Sequence, residues 1–286
     1  MIEVLPLSEA AGAEVRCGNI RDLDDTSFRE IYQAWLDHLV LLFRDQPLSP
    51  RGLATFSQRF GPLKSAPVGP DGKEYLELHV VSNVKENGIP RGILGDGEVD
   101  WHTDMVSFIH PPTASVLYAL EIPRAGGDTL FNNMYLAFET LPDGLKQRVV
   151  ELTIKHEVSA NSAGPGTGAV HPCVCTHPET GANSLYLGSR HNTYITELPR
   201  EESTQLLNLL WTHATQQRFG WRQHWRAGDV VVWDNRCLMH YREPFDPTSR
   251  RILHRTQVQG SIPPQIAPNA LECPPHPRGL KLYSVA

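Results

Sequence analysis

The chain has 286 residues, of which 40% are hydrophobic and 20% are charged, and its formal net charge is -6. These values are typical of a globular protein with a sizeable core, and the acidic balance argues against a nucleic-acid partner. The length fits either one large domain or two ordinary ones.

The cysteines are odd in number and lack the paired spacing of a structural zinc site, so we expect free thiols in a reducing compartment. Cys173 and Cys175 lie two residues apart, which on a strand favours packed side chains over a redox pair. Neither a signal-peptide pattern nor an apolar run of about 18 residues is found. We therefore expect a cytoplasmic protein without membrane contact. The cysteines are Cys17, Cys173, Cys175, Cys237 and Cys273.

The first sixty residues predict two helices that flank a buried strand. One of residues 24–26 is placed to cap a helix whose apolar side chains recur at helical spacing up to Leu39. The continuous apolar run 39–43 predicts a buried strand. Ser49 followed by Pro50 predicts the start of a second helix, because serine caps helices and proline suits the first helical position.

The segment 67–100 is rich in glycine and proline. It predicts a strand at 76–81, and the run from Gly88 to Gly97 favours irregular structure. A flexible loop is therefore expected over about 67–100, either as a lid over a site or as a plain surface connection.

The remainder predicts short strands with helices between them and a second flexible loop over about 159–170. No internal repeat or sharp change of composition marks a boundary. We therefore expect one domain over residues 1–286, a β-sandwich or barrel decorated by helices, with an irregular tail at 262–286. The predicted strands are 114–120, 129–131, 184–187, 219–225, 230–233 and 251–259, and the predicted helices are 135–140, 143–152 and 201–214.

The tetrapeptide Trp101-His102-Thr103-Asp104 contains two candidate metal ligands. If it is extended, His102 and Asp104 project to the same face. His240, which follows a β-rich run, is the best candidate for a third ligand. Two histidines and one carboxylate on one face of an ion are typical of non-haem Fe(II) oxygenases. Zinc hydrolases use the same ligand types, so that class stays open at this point.

Arg251 and Arg255 are four residues apart in a segment that predicts a strand. Residues at this spacing lie on the same face, so both arginines are expected to point inward. A buried guanidinium keeps its charge and needs an anionic partner. Its fork-shaped geometry suits the carboxylate of a bound acid.

In their order along the chain, these motifs resemble the Fe(II)- and 2-oxoglutarate-dependent dioxygenases of the taurine dioxygenase and 2,4-dichlorophenoxyacetate dioxygenase group. The resemblance covers nearly the whole chain. It is carried by Leu41-Leu42-Phe43-Arg44-Asp45-Gln46, Arg59-Phe60-Gly61, Trp101-His102-Thr103-Asp104, Gly126-Gly127-Asp128-Thr129, Trp233-Asp234-Asn235-Arg236 and Arg250-Arg251-Ile252-Leu253-His254-Arg255.

The resemblance implies a mainly β protein with flanking helices and a double-stranded β-helix (jelly-roll) core. It implies that iron is held by His102, Asp104 and His240, and that Thr129 and Arg251 bind the distal carboxylate of 2-oxoglutarate. The implied partners are Fe(II), 2-oxoglutarate and dioxygen, together with a small anionic substrate. A homo-oligomer, dimeric or tetrameric, is also implied.

The resemblance further implies the reaction. Decarboxylation of 2-oxoglutarate to succinate and carbon dioxide is coupled to hydroxylation of the substrate. Related halogenases have a small residue at the position of Asp104, so the aspartate argues against halogenation, while desaturation stays open. Alternatives of another class are a metal-binding jelly-roll sensor without turnover and a metal hydrolase, but neither explains Thr129 and the two arginines.

The sequence departs from the taurine enzymes where they bind substrate. Lys64-Ser65-Ala66 stands in place of a histidine that helps to bind the sulfonate, and Glu98 in place of an asparagine. Taurine is therefore disfavoured, and a carboxylate, sulfonate, phenoxy acid or amino acid is expected. Arg255 is placed near the keto-acid end of the cosubstrate or near an acidic group of the substrate. Asn83, Glu98 and Met105 are further candidates to line the substrate cavity.

Other histidines lack a partner at ligand spacing and are predicted to be packed or on the surface. His254 is expected to face away from the two arginines, and Trp101 and Trp233 to form walls of the core or pocket. The partnerless histidines are His110, His156, His171, His177 and His213.

Overall fold

The computed structural model of the chain describes residues 2–65, 78–96, 99–158 and 168–277. Within these ranges, β-strands form one sheet of eight strands, one of four and three smaller ones. The strands are β1 (Glu3–Pro6), β2 (Ala13–Arg16), β3 (Val40–Phe43), β4 (His79–Ser82), β5 (Lys85–Glu86), β6 (Ile89–Pro90), β7 (Ile93–Leu94), β8 (Val99–His102), β9 (Ala114–Glu121), β10 (Thr129–Asn133), β11 (Thr153–His156), β12 (Ala169–Pro172), β13 (Val174–Thr176), β14 (Asn183–Leu185), β15 (Thr193–Ile195), β16 (Gly220–Gln223), β17 (Val230–Asp234), β18 (Leu238–Arg242) and β19 (Ile252–Val258).

Within the described ranges, two α-helices lie near the N-terminus, two lie between β10 and β11, and one lies between β15 and β16. Asp24 accepts a hydrogen bond from the backbone of Ser27, and Ser49 accepts one from Gly52, so both predicted helix starts are confirmed. The α-helices are α1 (Asp25–His38), α2 (Pro50–Gln58), α3 (Met134–Glu139), α4 (Asp143–Val149) and α5 (Arg200–Ala214), and 3-10 turns cover Ile20–Asp22, Gln217–Phe219 and Ala270–Glu272.

The eight-stranded sheet has the order β1-β2-β3-β17-β9-β19-β4-β7, and the four-stranded sheet has the order β16-β10-β18-β8. Strands that are far apart in sequence are therefore neighbours in both sheets. Most of these pairs are antiparallel, and the β2–β3 and β4–β7 pairs are parallel. Such crossing connections are typical of a jelly-roll.

The two larger sheets pack face to face. One buried cluster joins Leu117, Val231 and Leu253 of the eight-stranded sheet to Phe131 and Leu238 of the four-stranded sheet. Side chains alternate along each strand, so the residues next to Leu117, Val231 and Leu253 point to the outer face of the eight-stranded sheet. On that face another buried cluster packs them against helices α1 and α2. The apolar run of β17 is thus buried on both faces, as its unbroken hydrophobicity predicts.

Two predictions for the segment before the metal motif are corrected. Residues 88–97, expected to be irregular, include short strands β6 and β7, because β6 pairs with β5 and β7 pairs with the end of β4. The strand expected at 76–81 occurs as His79–Ser82, and residues 66–77 lie outside the described ranges. The expected loop at 159–170 falls mostly on residues 159–167, which also lie outside them, and its predicted end is corrected, because β12 begins at Ala169 and pairs with β11. The described tail up to residue 277 has one 3-10 turn and is otherwise irregular, as expected.

Candidate active site

The histidines of the predicted metal site are direct neighbours across two strands. His102 ends β8 and is the register partner of His240 on β18. Opposite residues of an antiparallel pair project to the same face, so their rings lie side by side with centroids 4.1 Å apart. The strand pairing thus brings together two residues that are remote in sequence.

Asp104 reaches the same point by a different route from the one predicted. β8 ends at His102, and Thr103 and Asp104 leave the strand in a turn. The tetrapeptide 101–104 is therefore not extended over its whole length, as the argument from strand geometry assumed. The backbone N–H of Thr103 donates to the carbonyl of Gly188 (2.8 Å), and Met105 has a φ of 50°. This turn places Asp104 Oδ1 3.6 Å from His102 Nε2 and 3.9 Å from His240 Nε2.

The electrostatics of the three residues fit a divalent cation. Their ligand atoms lie within 4.8 Å of one another. His102 Nδ1 is 2.7 Å from the carbonyl of Asp100, which fixes the proton on Nδ1 and leaves Nε2 as a free donor atom for a metal. Burial lowers the pKa of His240 to about 3, so that imidazole is neutral, as a metal ligand must be.

Asp104 is kept ionised although its side chain is buried. Burial by itself would raise its pKa, but the positive charge of the nearby Arg255 guanidinium is the largest opposing influence, and the pKa of the carboxyl lies well below its usual range. Arg255 Nη1 lies 3.4 Å from Asp104 Oδ1. Two imidazoles and one carboxylate form the donor set that Fe(II) takes in non-haem oxygenases.

The predicted cosubstrate residues line one cavity with the histidines. Its walls include Thr129, Arg251 and Arg255 beside His102 and His240. Both predicted inward arginines therefore face the same space, and the intervening His254 does not line it. Further lining residues are Val81, Leu94, Val99, Leu117, Trp233 and Arg242.

Arg251 is a buried cation in this cavity. Its side chain is 2% exposed, and its Nε has no hydrogen-bond partner among the described residues. Burial, and then the nearby Arg242 guanidinium, lower the pKa of Arg251 to about 9. A buried guanidinium in such surroundings favours binding of an anion, and the distal carboxylate of a keto acid fits this requirement.

Thr129 is oriented to donate a hydrogen bond. The indole N–H of Trp225 donates to its hydroxyl oxygen at 3.0 Å, so that oxygen is already an acceptor. The hydroxyl proton of Thr129 remains available for the cavity that this residue lines. A carboxylate bound there would accept it.

The absence of a side chain at Gly127 leaves space for Arg251. Its φ of +71° lies in the region that favours glycine, and a Cβ there would lie 3.2 Å from Arg251 Nε. Its carbonyl accepts a hydrogen bond from Arg251 Nη2 at 3.2 Å. Gly127 is therefore a packing requirement of the arginine, whereas a Cβ at Gly126 would lie 2.7 Å from the carbonyl oxygen of Pro244.

Of the predicted substrate residues, Asn83 has a different position from the one expected. Its amide donates to the carbonyls of Pro247 and Ser249 and accepts from the backbone N–H of Arg251. It therefore orders the chain that enters β19 and is not among the residues lining the cavity, which corrects the prediction. Glu98 lies outside the described residues.

Met105 directly follows Asp104 in the chain, but it is not among the residues that line the cavity either. Its sulfur contacts Lys64, to which the sequence prediction gave no role. Lys64 Nζ is 3.4 Å from the Met105 sulfur and 4.0 Å from the centre of the Phe108 ring. The backbone N–H of Lys64 donates to Gln257 at the end of β19, so the lysine is tied to the strand that carries Arg255. Burial lowers the pKa of Lys64. The sequence feature that could have identified Lys64 is its position directly after Arg-Phe-Gly-Pro-Leu, which contains one of the family motifs.

A larger cavity of about 480 Å³ lies away from these residues, between the β13–β14 hairpin and the segment 261–268. Its walls are mainly proline and apolar side chains. We place the active site at the smaller cavity, because only there do the described residues bring the cluster of metal-ligand atoms next to the arginines.

The remaining predictions for histidines and cysteines agree with the structure. His171 contacts the carbonyls of Val106 and Phe108, and His177 pairs with Asp234. Within the described ranges, none of the five histidines that lack a neighbour at ligand spacing in the sequence joins a metal-ligand cluster. Trp233 is buried and lines the cavity, and Trp101 packs on Tyr241. All five cysteines are free, and Cys173 and Cys175 are buried.

Comparisons with known proteins identify the family. A family model described as taurine catabolism dioxygenase TauD, TfdA family matches residues 3–257. An (S)-phenoxypropionate/alpha-ketoglutarate-dioxygenase from Sphingobium herbicidovorans is 32% identical over 285 residues, covering 90% of this chain and 95% of the relative. The alpha-ketoglutarate-dependent 2,4-dichlorophenoxyacetate dioxygenase of Cupriavidus pinatubonensis is 34% identical, with 87% and 95% covered. The chain belongs to the TauD/TfdA family.

A crystal structure of a taurine dioxygenase from Burkholderia xenovorans matches with a TM-score of 0.80 and 34% identity, covering 94% of each chain. The jelly-roll fold implied by the motifs is therefore confirmed. The protein is an Fe(II)- and 2-oxoglutarate-dependent dioxygenase. The alternative predictions, a metal-binding sensor without turnover and a metal hydrolase, are therefore wrong. No helix in the described part of this TauD/TfdA protein is long and apolar enough to cross a membrane.

Proposed function

We propose that this dioxygenase hydroxylates a small organic carboxylate with an apolar body, and that His102, Asp104 and His240 hold the iron. The observation that carries the proposal is the cavity in which the two histidines and two arginines meet. When bound, iron and 2-oxoglutarate supply dioxygen activation coupled to decarboxylation of the keto acid to succinate. The protein's own residues bind and orient the two organic molecules around that centre.

Arg251 and Thr129 are proposed to bind the distal carboxylate of 2-oxoglutarate. The guanidinium has an unpartnered Nε, and the hydroxyl proton of Thr129 is free to donate because its oxygen accepts from Trp225. Both donors line the same cavity. A carboxylate there would gain charge-assisted hydrogen bonds in a site from which water is largely excluded.

Positive charge beyond that needed by the cosubstrate supports an anionic substrate. Arg255 Nη1 contacts Asp104, but its Nε is buried without a hydrogen-bond partner among the described residues. The Lys64 ammonium lies beside the Met105 thioether and the Phe108 ring. A substrate carboxylate near Lys64 and Arg255 would compensate these charges, while Phe108 offers an apolar surface. Two relatives are named for phenoxypropionate and 2,4-dichlorophenoxyacetate, which combine a carboxylate with an aromatic body.

The first experiment tests the centre. Fe(II) and 2-oxoglutarate are added without oxygen to metal-free protein, and the visible charge-transfer band of an iron-bound keto acid is expected. His102→Ala and Arg251→Ala should weaken or abolish the band. Its absence in the wild-type protein, or its persistence unchanged in both variants, would refute the proposed centre.

The second experiment tests the substrate class by succinate release under air. Aryloxyalkanoic acids are compared with the matching uncharged amides, and with taurine and an alkyl sulfate. We expect the acids to stimulate release and the amides to fail. Lys64→Gln should raise KM for the acid about tenfold or more, since a hydrogen bond to a charged group contributes roughly 1.5–3 kcal/mol. Lys85→Gln, at an exposed lysine on β5, is the control and should leave KM unchanged. Equal stimulation by amides would exclude charge recognition.

A further inference from the structure

A chain of buried side chains connects the proposed metal ligand Asp104 to the interior of the sandwich. Ser115 Oγ donates to Asp104 Oδ2 at 2.7 Å. Asn235 Nδ2 donates to the same serine oxygen at 3.0 Å, and Trp233 Nε1 donates to Asn235 Oδ1 at 2.9 Å. Each of these supporting side chains is at most 1% exposed.

The direction of every hydrogen bond in this chain follows from its first member. An indole N–H can only donate, so Trp233 requires the carbonyl oxygen of Asn235 and turns the amide nitrogen towards Ser115. The serine oxygen then accepts, and its own proton is free to donate. An ionised carboxylate can only accept, so that proton goes to Asp104 Oδ2.

The two oxygens of Asp104 are thereby given different surroundings. Oδ2 is held by Ser115, whereas Oδ1 lies 3.6 Å and 3.9 Å from the donor nitrogens of His102 and His240. Arg255 Nη1 is also on the side of Oδ1, at 3.4 Å. The carboxylate has little freedom to rotate, because both of its edges are engaged.

We propose that Ser115, oriented by Asn235, is a positioning residue that commits only Oδ1 of Asp104 to the metal. This inference rests on the proposed metal site and adds residues that the motif comparison leaves without a role. Without the serine hydroxyl, Oδ2 could turn towards the metal and occupy a position that the keto acid or dioxygen requires. Partners of this kind fix the orientation of a metal ligand and typically contribute 10–100-fold to metal affinity or activity.

The test compares Ser115→Ala, Ser115→Thr and Asn235→Ala with the wild-type protein. The alanine at 115 removes the hydroxyl, and the threonine retains it. Asn235→Ala leaves the hydroxyl but removes the closer of the two amides that donate to its oxygen, Asn235 Nδ2 at 3.0 Å and Gln257 Nε2 at 3.4 Å. It therefore supplies an answer if a variant at 115 does not fold. Ser184→Ala is the matched control, because Ser184 is equally buried and its hydroxyl donates to backbone carbonyls away from the triad.

Two measurements are made on metal-free protein: Mn(II) affinity by calorimetry, and the visible spectrum after loading with Co(II), which reports the coordination of the ion. We expect Ser115→Ala to weaken Mn(II) binding about 10–100-fold and to change the Co(II) spectrum. Ser115→Thr should retain the wild-type spectrum, because it keeps the hydroxyl. Asn235→Ala should shift both measurements in the same direction as Ser115→Ala. Ser184→Ala should leave both measurements unchanged.

The outcomes separate this inference from the proposed function. If the wild-type protein binds Mn(II) while Ser115→Ala and Asn235→Ala bind it within about twofold with an unchanged Co(II) spectrum, the positioning role is wrong and the metal site stands. If the wild-type protein binds no Mn(II), the metal site and the positioning role are both wrong.

Discussion

Arg250 and Arg251 are adjacent in sequence but lie in opposite environments. Arg250 is exposed and forms an ion pair with Glu121, whereas Arg251 is buried in the cavity beside the metal triad. Both residues directly precede β19, and at this point of the chain their side chains turn to opposite sides. Arg251 is therefore placed to bind an anion in the cavity, whereas Arg250 is a surface charge.

Arg251→Lys keeps the charge but removes the planar fork that matches a carboxylate. We expect KM for 2-oxoglutarate to rise about 10–100-fold, because charge-assisted hydrogen bonds contribute roughly 1.5–3 kcal/mol. The measurement is succinate release as a function of 2-oxoglutarate concentration. Arg250→Lys is the control and should change KM less than about twofold, since exposed ion pairs contribute about 0–1 kcal/mol. Equal KM values for the two variants would contradict the assignment of Arg251.

Beyond single residues, an ion-pair network ties several elements together at the end of β17. Asp234 Oδ2 lies 3.0 Å from His177 Nε2, in the β13–β14 connection, and 2.6 Å from Arg236 Nη2. Arg236 also pairs with Glu179 and lies over the ring of Trp35 in α1. Burial by itself would raise the pKa of Asp234, but Arg236 and His177 outweigh it and hold that pKa below its usual range.

Asp234→Asn should lower the free energy of unfolding at pH 7 by about 3–5 kcal/mol, because it removes the shared anionic partner of partly buried Arg236 and buried His177. The depressed pKa of the folded carboxyl means that the contribution is complete above the unfolded pKa of about 3.9 and is lost as pH falls below it. The difference between the wild type and Asp234→Asn should therefore shrink from pH 7 to pH 3. Urea unfolding across this range measures it.

The control for this network is Asp143→Asn, at an exposed aspartate in the first turn of α4. It should change the free energy of unfolding by no more than about 1 kcal/mol at any of these pH values. Parallel curves for the wild type and Asp234→Asn between pH 7 and pH 3 would contradict the role of the carboxylate charge.

For the whole molecule, the active site is a junction between the two larger sheets. His102 and His240 come from β8 and β18 of the four-stranded sheet, whereas Arg255 comes from β19 of the eight-stranded sheet. A metal bound by the triad would stabilise the folded chain, because the unfolded chain lacks the site. One domain over residues 1–286, a cytoplasmic location and a dimer or tetramer stay predictions.

Removal of the metal should therefore destabilise the whole fold. Mn(II) at about 100 times its dissociation constant is expected to add about 2.7 kcal/mol to the free energy of unfolding relative to metal-free protein. Thermal unfolding with and without Mn(II) measures the effect as a rise in Tm. His102→Ala should abolish the rise, while His110→Ala, at an exposed histidine, should retain it. A rise that survives in His102→Ala would place the bound metal elsewhere.

The sequence by itself determined most of the longer elements, the reaction class and the residues proposed for the metal and cosubstrate. Helix caps at Asp24 and Ser49 and alternation along β19 are local patterns, which local physical chemistry decides. Only the tertiary structure decided that His240 pairs with His102, that Asp104 arrives through a turn, and that Asn83 serves the backbone instead of the cavity. The pairing of distant strands and the direction of buried hydrogen bonds depend on which segments meet in three dimensions, and local periodicity does not contain that information.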